Sequence, residues 1–167
     1  LYAALAAAAE LIPAVRLARL DVSSFEDGLT KYRHDLFRID QLYRQYTFAA
    51  QNAEFKQPLE SLSDQVENAY VTDFLFKLGT SWQQQVDAVS KWRTSVITSQ
   101  TSFFDRYIAP VIRGGRKKAV VVISDAMRYE VAEAPHSRSR GENKFDAKID
   151  AMLGVLPSYA QLGMASR

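Results

Sequence analysis

Lys118-Ala-Val-Val-Val-Ile-Ser-Asp-Ala-Met-Arg-Tyr-Glu130 is the stretch on which the fold reading turns. Ala119 to Ile123 is an unbroken apolar run, mostly β-branched, the composition of a strand buried on both faces of a parallel sheet. It ends at Ser124 and Asp125. Good helix formers from Ala126 to Ala134, with carboxylates at Glu130 and Glu133, predict a helix there. Open α/β sheets place their sites at the carboxyl ends of strands, so Asp125 falls where a carboxylate can act as a hard oxygen ligand for a metal. A plain helix N-cap is the other reading of such an Asp, and spacing alone favours it.

Downstream, Pro135-His-Ser-Arg-Ser-Arg-Gly141 is polar and basic and reads as loop. From Lys144 to Ala151 the residues alternate. Phe145, Ala147, Ile149 and Ala151 fall on one side and Lys144, Asp146, Lys148 and Asp150 on the other, the pattern of a half-exposed strand. Met152-Leu-Gly-Val-Leu156 follows, and Pro157-Ser-Tyr-Ala-Gln-Leu-Gly-Met-Ala165 reads as a turn opening a helix. Free N–H groups at a helix start favour anions. Upstream, Arg113-Gly-Gly-Arg-Lys-Lys118 is a short basic run that reads as a solvated turn, with phosphate contact as the less favoured alternative.

The first two-thirds is helical. Leu1 to Leu20 is rich in Ala and Leu and is interrupted at Pro13, which predicts a kink or the first turn of a second helix. Ser23 and Glu26 have capping-box spacing. From there Leu29, Tyr32, Leu36, Ile39, Tyr43, Tyr46 and Ala50 form one apolar stripe, with Arg33, Asp35, Arg38, Asp40 and Arg44 expected to face water. Pro58 separates this helix from one over Leu59 to Leu78, with Leu62, Val66, Tyr70, Phe74 and Leu78 on one face. Gly79 suits a C′ position and Ser81 a cap for a short helix through Val89. Thr94 to Ser102 reads as loop, and Phe103 to Ile112 as a helix ending at Gly114 and Gly115. Tyrosines at helical spacing could stack single-stranded nucleic acid, but core positions with hydroxyls at the edge explain Tyr32, Tyr43, Tyr46 and Tyr70 more simply. His34 lies off the stripe and reads as a surface residue.

Composition adds limits. The chain of 167 residues is 47% apolar and 24% charged with a net charge of +2, ordinary for a globular protein and neutral on nucleic-acid binding. It has no cysteine, hence no disulfide framework or thiolate site, which fits a reducing cytoplasm. Its two histidines, His34 and His136, are too few for a His-rich zinc centre. No apolar run is long enough to span a bilayer. Leu1 to Ala9 lacks an initiator Met and a preceding basic segment, so it is not read as a signal peptide, and the whole reads as an excerpt of something larger.

Ser124-Asp-Ala-Met-Arg-Tyr-Glu130, together with Leu153-Gly-Val-Leu-Pro-Ser-Tyr-Ala-Gln-Leu-Gly-Met-Ala165, resembles the PglZ family of the alkaline-phosphatase superfamily, part of BREX bacteriophage-defence systems. Tyr43-Arg-Gln-Tyr46 and Trp82 are similar to the segment that precedes the domain in that family. The resemblance implies a helical region over 1–115 followed, over 116–167, by the first part of an α/β/α sandwich. It implies a phosphatase- or phosphodiesterase-like hydrolase with two divalent metal ions, zinc or manganese, one of them held by Asp125. It also implies partnership with other BREX subunits, DNA as a further candidate, and no membrane. The family motif carries Thr after Pro-Ser-Tyr as the nucleophile, where this chain has Ala160. Ser158, two residues earlier, would point elsewhere on a helix start and is not expected to substitute. Further Asp and His ligands lie in the family beyond Arg167. The expectation is therefore an inactive form of a hydrolase, with a non-catalytic module that docks defence subunits or DNA as the alternative.

Overall fold

The computed structural model describes residues 1–54, 57–115, 118–124, 127–139 and 148–157. The chain divides into two compact units, Leu1–Ser90 and Lys91–Arg167.

The first unit is built from three long helical stretches whose apolar faces meet. Helix Tyr2–Leu17 runs through Pro13 without a break and buries Ala4, Ala7, Ala8, Leu11 and Val15. Pro13 is on the exposed side. Its missing amide costs one intrahelical bond, and the burial of the opposite face holds the helix together across it. The second stretch covers 25–51 as Phe25–Lys31, a π-helical segment Tyr32–Leu36, and Phe37–Gln51. The third covers 60–88 as Glu60–Glu67, a π-helical segment Asn68–Phe76, and Lys77–Ala88, entered by a 3-10 turn at Gln57–Leu59. Both stripes read from periodicity are inward. Leu36, Ile39, Tyr46, Val66, Tyr70 and Phe74 are buried in one cluster.

Three expectations about helix ends change in this unit. Ser24, not Ser23, is the N-cap, its Oγ accepting from Asp27 N–H at 3.1 Å. Asp27 in turn accepts from the amide and hydroxyl of Ser23, each at 2.9 Å, so the box is displaced by one residue. Gly79 does not end a helix but lies inside Lys77–Ala88. Ser81 caps nothing and accepts from Val22 N–H at 2.8 Å across the unit. Burial of Val66, Tyr70 and Phe74 on one side of the preceding turns carries the helix over an unfavourable glycine that costs about 1 kcal/mol relative to alanine.

Asp40 was expected in water and is instead buried. It accepts from Tyr32 OH at 2.5 Å and from Tyr70 OH at 2.9 Å, joining the two long helices. The tyrosines are core residues with satisfied hydroxyls. Tyr43 stacks on Tyr70 at 3.7 Å between ring centres and donates to Glu67 at 2.7 Å, and the Tyr46 and Ser63 hydroxyls share a bond of 2.8 Å. Trp82 stacks on Phe25, and His34 is exposed as expected.

In the second unit, Phe104–Ile108 and Ala109–Arg113 make one helix that ends at Gly114, with Gly115 at φ 69°. That left-handed turn is open to glycine without a steric cost. Thr98–Ser99, expected as loop, forms β1 and pairs in parallel with β2, Met152–Leu153. A 3-10 turn at Gln100–Ser102 follows β1. Helix Tyr129–Ser139 begins later than expected and continues through Pro135 into the stretch read as loop. Proline removes one amide donor and does not by itself stop a helix whose neighbours are Ala and Glu.

Ala119–Ile123 is not a buried strand here. Among the described residues the segment forms no ladder, and Val120 and Val122 are 88% and 86% exposed. A parallel strand needs neighbours on its edges and layers on its faces, and the described residues supply only the β1–β2 pair, elsewhere. The alternation read for 144–151 holds where it is described. Lys148 and Asp150 are exposed while Ile149 and Ala151 are half-buried, leading into β2. Among the described residues, then, the chain is mostly helical with one small parallel sheet.

Candidate functional site

Asp125 and Ala160, the two positions to which chemistry was assigned, lie outside the described residues, as do Ser158 and the basic pair Arg116 and Lys117. The structure therefore describes the approaches to the two motifs. On the first motif, Ser124 is exposed at the end of the apolar run. Beyond it the Arg128 carbonyl accepts from Val131 N–H at 3.0 Å and from Ala132 N–H at 3.1 Å, which fixes the entry to the Tyr129–Ser139 helix. Glu130, in the first turn of that helix, is 0% exposed, and its Oε1 lies 3.2 Å from Arg128 Nη2. A buried carboxylate is costly unless it is paired, and Arg128 shares in that pairing from a largely exposed position. Glu130 was expected only as a helix-favouring acid.

On the second motif, β2 is held along β1 in register Thr98 with Met152 and Ser99 with Leu153. One residue further on, Gly154 O accepts from Trp92 Nε1 at 2.8 Å. Just before β2, Asp150 Oδ2 accepts from Tyr107 OH at 2.6 Å. That bond raises the Tyr107 pKa above its usual 10.0, chiefly by stabilising the protonated phenol, with burial and the negative charge of Asp150 acting the same way. Neither contact was visible in the sequence. The partners are far apart along the chain, and no periodicity links them.

Among the described residues no group of three His, Cys, Asp or Glu could hold a metal ion. Asp125, the one ligand expected from the sequence, is outside them. No helix among the described residues is long and apolar enough to cross a membrane.

Residues 103–167 match the family model described as the BREX system PglZ alkaline phosphatase-like domain. That match defines the class as alkaline phosphatase-like. The chain is 35% identical over 167 residues to the alkaline phosphatase-like protein BrxZ of Escherichia coli O9:H4 (strain HS), over 95% of this chain and 19% of that protein. It is 34% identical over 142 residues to the alkaline phosphatase-like protein PglZ of Bacillus cereus (strain H3081.97), over 84% of this chain and 16% of that protein. By sequence the chain belongs to the PglZ family, as its two motifs implied. It spans less than a fifth of the length of either relative. No solved structure matches it.

Proposed function

We propose that this chain is part of a cytoplasmic BREX-type phage-defence protein, built around a metal-dependent phosphoric-ester hydrolase domain of the α/β/α sandwich type. The observation that carries this reading is the similarity to BrxZ over 95% of the chain, alongside the family match over 103–167, which contains both motifs. In this reading Asp125 holds one of two divalent ions, zinc or manganese, and position 160 is that of the nucleophile. Such ions, when bound, stabilise negative charge on phosphoryl oxygens. A nucleophile must offer a lone pair to phosphorus and lose a proton, and the methyl group of Ala160 can do neither. The form with Ala160 is accordingly inactive. Alanine at this position also supports a second reading, in which the domain serves as a scaffold that docks other BREX subunits or DNA.

The test is hydrolysis of an aryl phosphodiester by the full-length protein, in zinc and in manganese, with Ala160, Ala160→Thr and Ala160→Thr/Asp125→Asn. The expected pattern is no turnover, turnover, and no turnover. If Ala160→Thr is silent in both metals while the protein still associates with its defence subunits, the hydrolase reading fails and the scaffold reading takes its place.

A further inference from the structure

The family match begins at residue 103, yet the compact unit that contains it begins at Lys91. We propose that the segment 91–102 is framework of the candidate site, and that Trp92 is a positioning residue for the strand leading to position 160. The assignment of a reacting group to position 160 rests on the hydrolase reading above; the structural role of Trp92 rests on contacts within the second unit.

Those contacts fall on three consecutive residues of the second motif's approach. Thr98 and Ser99 pair with Met152 and Leu153, and Trp92 donates the only polar hydrogen of its side chain to Gly154 O at 2.8 Å. Gln100 stands over Gly154, its Oε1 3.6 Å from where a Cβ would lie. A two-residue ladder is marginal alone, because few backbone bonds offset the entropy of ordering both strands. The indole bond extends the restraint by one residue along the chain, in the direction of Pro157. Trp92 is half-buried but Gly154 is exposed, so this bond is open to competing water, whereas Leu153 beside it is buried. The strand thus enters the second motif with its carbonyl direction set by a side chain outside the matched family domain. Reacting groups tolerate little misplacement, and a displacement of about 1 Å can lower a rate up to about 100-fold.

The experiment uses full-length protein carrying Ala160→Thr, with Trp92→Phe and Trp92→His added separately. Phenylalanine keeps an aromatic ring and loses the donor, whereas histidine keeps a ring N–H. Hydrogen–deuterium exchange at 152–157 and steady-state hydrolysis of the aryl phosphodiester are measured together. Trp92→Phe is expected to speed exchange at 152–157 and to lower kcat by about tenfold with KM within about twofold, and Trp92→His to recover part of both. Unchanged exchange overturns the proposal. Faster exchange with unchanged kcat also overturns it, leaving Trp92 as a structural contact only. If the Ala160→Thr parent does not turn over, the hydrolase reading falls by itself. Exchange at 152–157 then decides alone whether Trp92 fixes this strand.

Discussion

Gly28 offers the sharpest test of packing in the first unit, because two rules give opposite signs for Gly28→Ala. In a helix interior the change ordinarily stabilises by about 1 kcal/mol, since alanine loses less backbone entropy on folding. Gly28 lies within Phe25–Lys31 and is buried. An added Cβ would sit 2.6 Å from both Cε3 and Cζ3 of Trp82 and 2.9 Å from Cγ1 of Val22. Ordinary carbon contacts lie at about 3.5–4.0 Å, so Trp82 must retreat by about 1 Å.

That retreat is resisted from two sides. The Trp82 ring is stacked on Phe25 at 5.1 Å and 20°, and Val22 is fixed through its amide to Ser81 and its carbonyl to Gln85. Overpacking of this kind costs about 1–3 kcal/mol, and two contacts below 3 Å on a rigid ring put it in the upper half of that range. After the helix gain, the net loss is about 1–2 kcal/mol, or roughly 4–16 °C in Tm for a unit of this size. Thermal unfolding followed by Trp fluorescence and far-UV circular dichroism measures it. In a double-mutant cycle, Gly28→Ala on a Trp82→Ala background is expected to turn neutral or stabilising, because the obstructing ring is gone. Equal destabilisation on both backgrounds, or a Gly28→Ala protein as stable as its parent, refutes the steric argument.

Asp40→Ala removes the shared acceptor of Tyr32 and Tyr70 and leaves two phenol donors at the helix junction, one of them buried. The expected loss is about 2–4 kcal/mol by denaturant unfolding, with Asp40→Asn in between because it keeps one acceptor oxygen. Asp27 has its pKa lowered from 3.8 to about 2, first by the Ser23 backbone N–H, then by Lys31 and the Ser23 hydroxyl. A depressed carboxylate pKa adds stability that is complete above 3.8 and is lost as pH falls towards about 2. The Tm difference between the parent and Asp27→Asn should therefore be flat above about pH 5 and shrink between about pH 4 and pH 2. A difference constant across that window removes the ion and its hydrogen bonds as the cause.

What could be read from the sequence was whatever a single helix decides by itself. The stripes through Leu36, Ile39 and Tyr46 and through Val66, Tyr70 and Phe74 are inward as periodicity required. A 3.6-residue repeat fixes a face before any partner is known. The breaks were misread where local preference met tertiary burial. Gly79 and Pro135 each argue for an end, and each lies inside a helix, while Pro13 opens no second helix but sits within Tyr2–Leu17. The cap moved from Ser23 to Ser24 because capping depends on which residue is extended, and Ser24 has φ −158° and ψ 167°. Asp40 borders the apolar stripe, and the hydroxyls of Tyr32 and of Tyr70, the latter on another helix, make its burial tolerable.

The strand readings failed or held for a different reason. A run such as Ala119–Ile123 has strand composition, but composition supplies no neighbour, and a ladder exists only where a second segment is brought alongside. The chain places its one described ladder where two short segments meet, the polar Thr98–Ser99 and the apolar Met152–Leu153. Those two are selected by what surrounds them. Trp92 reaches Gly154 and Tyr107 reaches Asp150, from positions that no spacing rule connects. The motifs around Asp125 and Ala160 identified the family because family motifs are local strings. The framework presenting the second of them is non-local, so its reach back to Lys91 could be found only in three dimensions. A domain boundary drawn at the start of the motif-bearing sequence would cut through that framework, separating Trp92 and β1 from the strand they hold.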